Sequence, residues 1–178
     1  MKKNIILIGY MGSGKSAVGR RIASVNSMEY IDLDDYIEKK EGRSVTEIFK
    51  VKGEIYFRKC ETAYLIELLD NKNNLLLSLG GGTPCFGNNI NVINNLKNGI
   101  SIYLKTSIVE LSKRLFTERS KRPLIAHTKD NGELSEFIAK HIFERSTYYN
   151  QANYTVITDG RAIVEISDEI INLENSIN

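Results

Sequence analysis

Residues 4–16 read NIILIGYMGSGKS, an apolar run that breaks into a glycine-rich turn and then a lysine and a serine. From Gly9 onward the stretch fits GxxxxGK[ST], set between a short buried strand and a helix. Glycines let such a turn curl its backbone N–H groups round phosphates, and the helix N-terminus adds partial positive charge at the same point. Gly12, Ser13, Gly14 and Ala17 belong to this cradle. Lys15 supplies a full charge to the bridging and γ-oxygens, and the Ser16 hydroxyl is a magnesium ligand. A chain with this unit must build strand, turn and helix in that order, and it binds a nucleoside triphosphate.

The rest of the pattern repeats that alternation. Residues 4–8, 30–32, 75–79, 100–105 and 154–158 are short and apolar or β-branched, and helical patterning separates them. Helices are predicted over 15–24, 33–41, 45–51, 54–70, 90–96, 108–116, 134–151 and 162–173. Five such strands predict a parallel sheet covered on both faces, and 178 residues make one domain over 1–178. The least periodic stretch is 117–132, TERSKRPLIAHTKDNG. A loop of that length inside a compact domain is more often functional than idle, and Arg119, Lys121 and Arg122 predict a mobile lid over anionic phosphates.

Charge and composition exclude several partners. Lys plus Arg number 24 against 22 for Asp plus Glu, so no nucleic-acid or membrane partner is expected. The longest apolar runs, such as 5–8 and 75–77, are too short to span a bilayer. The first run leads into the phosphate loop rather than a cleavage site, which predicts a cytoplasmic protein without a signal peptide. Cys60 and Cys85 lack metal-type spacing and are expected reduced and packed; His127 and His141 are expected as surface or packing residues. Asn153 begins a glycosylation sequon that has no meaning in such a compartment.

The acceptor side is drawn by acids, arginines and bare backbone. The second strand ends Asp32-Leu33-Asp34-Asp35, and alternation at a strand end would point Asp32 and Asp34 the same way, towards the carboxyl edge of the sheet. Asp32 could then reach the metal through water and Asp34 an incoming hydroxyl, while Asp35 reads as an acidic helix start. Arg58 and Glu61 share a helix face; their spacing fits a surface ion pair as well as a site. Phe49 and Phe57 fit a core, or flat walls for a compact ring. The third strand ends in Gly80, Gly81 and Gly82 where many phosphate-loop proteins place a metal-binding aspartate.

Together these stretches resemble the shikimate kinases, small P-loop kinases related to nucleoside monophosphate kinases. GYMGSGKS, IDLDDYIE, SVTEIFKVKGEIYFRKCE, the triple glycine, Arg122-Pro123-Leu124 and the arginine of ERSTYYNQA carry the likeness nearly end to end. The resemblance implies a three-layer α/β/α P-loop kinase fold, a five-stranded parallel sheet in the order 2-3-1-4-5, and a monomer. It implies transfer of the ATP γ-phosphoryl to the 3-hydroxyl of shikimate, with Mg2+, on the route to chorismate and aromatic amino acids. The acceptor segment would span about 33–62. Asp34 would bind substrate hydroxyls and act as base, Arg58 and Arg145 would grip the carboxylate, and Glu61 would orient Arg58. Gly81, between Gly80 and Gly82, would touch the ring, the glycines leaving room for it; Lys15 and Arg122 would serve the transferred phosphate. Arg114 and Arg161 would lie near the nucleotide, and Ser16 and Asp32 would hold the metal. Leu79 departs from the threonine common in the family just before the glycines, with Ser78 one step earlier.

Three other readings share the phosphate loop: a gluconate-type kinase, a nucleoside monophosphate kinase and a nucleotide-dependent module without transfer. A carboxylate such as Asp34 repels a phosphate acceptor but suits hydroxyls, and paired phenylalanines suit a ring better than an open sugar chain. Keeping Lys15, Asp34, Arg58, Arg122 and Arg145 together argues for transfer.

Overall fold

The computed structural model describes residues 3–176, apart from the side chain of Lys121, so that member of the expected lid cluster lies outside the described side chains. Five parallel strands, β1 (Asn4–Ile8), β2 (Glu29–Asp32), β3 (Leu75–Ser78), β4 (Gly99–Lys105) and β5 (Tyr154–Ile157), form one sheet in the order β2-β3-β1-β4-β5. The central strand β1 pairs with β3 on one edge (Ile6 opposite Leu77) and with β4 on the other (Ile6 opposite Ser101).

Alternation along β1 sends Ile5 and Leu7 to one face and Ile6 and Ile8 to the other, and all four are fully buried. Ile5 and Leu7 pack with Val18 and Ile22 of α1 (Lys15–Val25) and Ile166 and Ile170 of α8 (Ile163–Ser176). The opposite face is covered by α4 (Glu54–Asn71), α5 (Asn89–Asn94), α6 (Ile108–Phe116) and α7 (Asn131–Tyr149), with α2 (Leu33–Glu41) and α3 (Val45–Lys52) outside α4. The layers are therefore helix, sheet and helix, as the alternation predicts.

Local chemistry sets the helix boundaries. Ser44 caps α3 in a reciprocal box, accepting from the Glu47 N–H while the Glu47 side chain accepts from the Ser44 N–H. Asp130 caps α7 by accepting from the Glu133 N–H at 2.9 Å. That cap corrects the expected start at Leu134: Asn131 and Gly132 form the first turn of α7, because Asp-Asn-Gly serves here as a helix start rather than a turn. The expected lid is also less uniform than its composition suggests. Residues 119–121 form a 3₁₀ turn, while Ile125 is fully buried and Thr128 nearly so.

The outer helices are tied together by one carboxylate. Glu41, at the end of α2, accepts from the hydroxyls of Tyr56 and Tyr64 on α4 at 2.8 Å each and from Lys52 Nζ at 3.0 Å. Tyr56, Tyr64 and Lys52 together pull its pKa down to about 2. A group depressed in the folded state stabilises fully above its unfolded pKa, and loses that contribution as pH falls through the folded value. Glu41→Gln should therefore lower unfolding free energy by roughly 1–3 kcal/mol at pH 7, the range for a hydrogen-bonded charge. The gap to the parent should shrink as pH falls from about 4.5 towards 2, as read by urea denaturation across that range.

Candidate active site

The site forms where the carboxyl ends of β1, β2 and β3 meet α7. Gly9, Gly12 and Gly14 of the loop after β1 have positive φ, and Gly14, at φ +96°, is the residue from which α1 departs. A side chain at Gly14 would be strained there even though nothing stands within 4 Å of its would-be Cβ. Lys15 folds back so that Nζ donates to the carbonyls of Gly9 at 2.9 Å and Tyr10 at 3.0 Å. Burial pulls its ammonium down to about 8, against the opposing pull of Asp32 and Asp34. Phosphate oxygens entering the loop would replace those carbonyl contacts with full negative charge.

The acidic pair is built differently from the expected strand end. Asp32 is the last residue of β2 and also the N-cap of α2, its Oδ1 accepting from the Asp34 N–H at 3.1 Å. Asp34 is thus in a first helical turn, and period-two alternation does not carry to it, since the capping bond turns the chain at once. Both acids nevertheless line the same cavity as Lys15 and Ser16. Asp32 Oδ2 accepts from the Ser16 hydroxyl at 3.3 Å and from the Tyr30 hydroxyl at 3.4 Å. Asp34 is half-buried, and its enclosed Oδ1 has no hydrogen-bond partner among the described residues. Burial, then Asp32 and Glu61, raise its pKa to about 7. Asp35 is exposed in the first turn of α2, in keeping with an acidic helix start.

The cavity, about 660 Å³, runs from Asp34, Gly80 and Gly81 across the phosphate loop to Arg114, Arg122 and Arg161. Arg114 bridges its walls, donating to the carbonyls of Gly12 and Thr158 at 3.3 Å each and to Glu110 at 2.8 Å. Arg161 donates to the Ile157 carbonyl at 3.0 Å and pairs with Glu169 at 2.6 Å. Arg122 is held by Glu118, one turn earlier, at 2.7 Å.

Arg58 and Arg145 stand beyond the lining of that cavity and flank the glycines instead. Arg58 donates Nη1 to Glu61 Oε2 at 2.5 Å and Nε to Glu54 at 3.4 Å, while Arg145 forms no ion pair among the described residues. The chemical reason for the glycines is legible here. A Cβ on Gly82 would lie 2.5–2.7 Å from the Arg58 guanidinium, and one on Gly80 about 3.0–3.1 Å from Glu61 Oε1, Asp34 Oδ1 and Thr83 Oγ1. At Gly81 the nearest atoms, Arg145 Nη1, the Gly9 carbonyl oxygen and the Tyr149 hydroxyl, stand at 3.4–3.5 Å, ordinary contact. The site's own side chains, rather than a ligand alone, claim the space at Gly80 and Gly82. Phe49 and Phe57 stack at 4.7 Å with Phe57 only 3% exposed, so Phe49 alone keeps open surface.

Several contacts escaped the sequence. Tyr149 donates its hydroxyl to the Gly81 carbonyl at 2.6 Å, Tyr10 meets His141 Nδ1 at 3.1 Å, and Thr83 donates to Glu61 Oε1 at 2.5 Å. Each joins residues at least 22 positions apart, and no local pattern signals such a pair. His127 and His141 both pack on Phe137, as expected of packing residues, and Asn153 Oδ1 accepts from the Ser101 N–H at 2.8 Å. Cys60 is buried and Cys85 partly so, and neither forms a disulfide.

A phosphate loop at the end of β1, a five-stranded parallel sheet in this order and helices on both faces define the P-loop kinase fold. The comparisons narrow that class. The family model described as shikimate kinase matches residues 11–174. A shikimate kinase of Flavobacterium johnsoniae is 45% identical over 171 residues, 96% of this chain and 98% of that one. The crystal structure of shikimate kinase from Bacteroides thetaiotaomicron superposes with a TM-score of 0.89 at 32% identity, covering 98% of this chain and 99% of the other. Shikimate kinase from Acinetobacter baumannii, solved in complex with shikimate, gives 0.88 at 31% identity over 100% of this chain and 96% of its own. The chain belongs to the shikimate kinase family.

The glycine geometry makes a stability prediction. Gly82→Ala makes the Arg58 guanidinium shift against its buried partner Glu61, and crowding of that kind should cost roughly 1–3 kcal/mol. Gly81→Ala meets only ordinary contacts and should stay within about 0.5–1 kcal/mol of the parent. Urea unfolding of both variants checks the contrast; equal losses would mean that space for Arg58 is not what Gly82 provides.

Proposed function

We propose that this chain transfers the γ-phosphoryl group of ATP to the 3-hydroxyl of shikimate, giving shikimate 3-phosphate and ADP. The observation that carries the reading is Asp34: a half-buried carboxylate whose enclosed Oδ1 has no hydrogen-bond partner among the described residues, in one cavity with the phosphate loop. Such an oxygen is costly to bury unless a ligand donor completes it. A hydroxyl does so, and a carboxyl whose pKa lies near neutrality is suited to take its proton.

Arg58, presented by Glu61, and Arg145, which lies over the Tyr10 ring and has no ion pair among the described residues, are two cations beside the glycines that suit the acceptor carboxylate. An acceptor bearing phosphate would be repelled by Asp34, Asp32 and Glu61. Gly80 to Gly82 give a bare floor, and Phe49, half-buried against Phe57, would supply a flat wall, which together favour a compact ring over an open polyol. In the step itself the 3-hydroxyl oxygen forms a bond to the γ-phosphorus, and the bond to the β-bridging oxygen breaks. The electron pair leaves on ADP, and the hydroxyl proton passes to Asp34 Oδ1. Lys15 moves from the loop carbonyls to the phosphates, and Arg122, released from Glu118, neutralises charge on the transferring group. The stretch between α6 and α7, the part of the expected lid that is not α-helix, acts as the cover that excludes water during transfer.

Magnesium fits the residues present. The Ser16 hydroxyl and Asp32 are hard oxygen donors side by side, and among the described residues no group of three or more His, Cys, Asp or Glu stands together as a protein cage. Magnesium is commonly held by one or two protein oxygens, waters and substrate phosphates. Ser16 would bind it directly and Asp32 through water; when bound, it neutralises charge on the phosphate oxygens. Among the described residues no helix is long and apolar enough to cross a membrane.

Steady-state kinetics with varied shikimate and varied ATP test the assignment. Arg58→Ala or Arg145→Ala should raise the KM for shikimate about ten- to a hundredfold and leave that for ATP within about twofold. Asp34→Asn, which keeps the shape but cannot take a proton, should lower kcat by about 10²–10⁴ at saturating shikimate. An Asp34→Asn enzyme with normal kcat, or arginine variants that lose ATP and shikimate equally, would overturn the reading. Gluconate and nucleoside monophosphates as alternative acceptors in an ADP-release assay should give no turnover.

A further inference from the structure

Glu61 has more holding it than an ion pair. The side chain is fully buried, and its two oxygens are divided between opposed donors: Oε2 accepts from Arg58 Nη1 and Oε1 from the Thr83 hydroxyl, each at 2.5 Å. Thr83 is itself fully buried and opens the 3₁₀ turn that follows the glycines. That turn is fixed on both sides. The Thr83 N–H donates to the Gly80 carbonyl at 3.1 Å, its own carbonyl accepts from Asn89 Nδ2 at 2.8 Å, and Pro84 follows. Asn89 is fully buried as well, at the start of α5.

The second donor matters because a carboxylate held on one oxygen alone can still swing about its last bond. Crowding makes the swing consequential. Glu61 Oε1 and Asp34 Oδ1 both lie within 3.1 Å of the point where a Gly80 Cβ would stand, so two acceptor oxygens crowd one spot. A hydroxyl donated to Oε1 turns that charge towards Thr83. Glu61 Oε2 then faces Arg58, whose Nη2 makes no hydrogen bond among the described residues and is left to a ligand.

We propose that Thr83 is a positioning residue for the acceptor site: its hydroxyl locks the plane of the Glu61 carboxylate and thereby the direction in which Arg58 presents its free N–H groups. The relay runs from α5 through the 3₁₀ turn to α4, and it joins the glycine floor of the acceptor site to its arginine wall. It rests on the reading of Arg58 as a ligand of the acceptor carboxylate.

Thr83→Val removes the hydroxyl and keeps the branched shape, whereas Thr83→Ser keeps the hydroxyl. With the valine, KM for shikimate should rise about tenfold while KM for ATP and kcat stay within about twofold, the scale on which an outer partner tunes a ligand-binding group. The serine should restore KM for shikimate to within about threefold of the parent. An unchanged KM in the valine enzyme overturns the relay, as does a parallel rise for both substrates or a serine that fails to restore. Arg58→Ala separates the two levels. If it raises KM for shikimate and Thr83→Val does not, the relay alone falls; if neither does, the reading of Arg58 falls with it. Should the valine not fold, Thr83→Ala, which relieves any crowding, is judged by the same criteria.

Discussion

The structure depends on β1 being paired along both edges and covered on both faces. Ile5 through Ile8 have no exposed surface, and both neighbours run parallel to the strand. A strand held in that way cannot shift register without exposing one apolar set and leaving ladder groups unpaired. Its carboxyl end is therefore a fixed point, from which the phosphate loop leaves with its N–H groups directed at one place. Gly9 shows how tight the exit is: a Cβ there would lie 2.8 Å from the Leu104 carbonyl oxygen of the neighbouring strand.

Around that fixed point the protein confines charge at short range. Lys15 is pushed down by burial while Asp34 is pushed up, and each partly compensates the other. This is the expected condition of a site that completes its charge balance only with substrates present. Lys15 rests on carbonyls, Arg122 on Glu118, and Asp34 Oδ1 on no donor among the described residues. Glu61 is the exception, fully buried and satisfied by two donors on opposite sides. The part of the site that must be rigid in the absence of ligand is accordingly the acceptor wall, and the parts that exchange partners face the phosphates.

The outer helices supply a different kind of stability. Glu41 gathers Tyr56, Tyr64 and Lys52 into one hydrogen-bonded knot, with Tyr36 edge-on to Tyr64 at 5.8 Å. The knot ties the end of α2 to α4 and to the last residue of α3, on the side of α4 that does not face the glycines. Arg58, on the same helix, is thereby held by packing on one side and by the glycine turn on the other.

Much of this was legible in the order of residues, because it rests on local rules. GYMGSGKS specifies its own turn, the apolar alternation specifies five buried strands, and the combined motifs carry the likeness to the family. The extents of α2 and α6 follow directly from periodicity. What the sequence could not decide lies in contacts between distant segments and in the space between them. The direction of Asp34 was read from strand alternation, but the Asp32 cap starts α2 at Leu33, so helical geometry and not alternation sets where Asp34 points. Gly80 and Gly82 were legible as bare backbone, but only the packed structure shows Arg58, Glu61, Asp34 and Thr83 occupying the room that a Cβ would need. Local sequence determines backbone direction and apolar faces through short-range sterics and burial; which polar atoms then meet is set by helices converging on the sheet edge, a property of the whole fold.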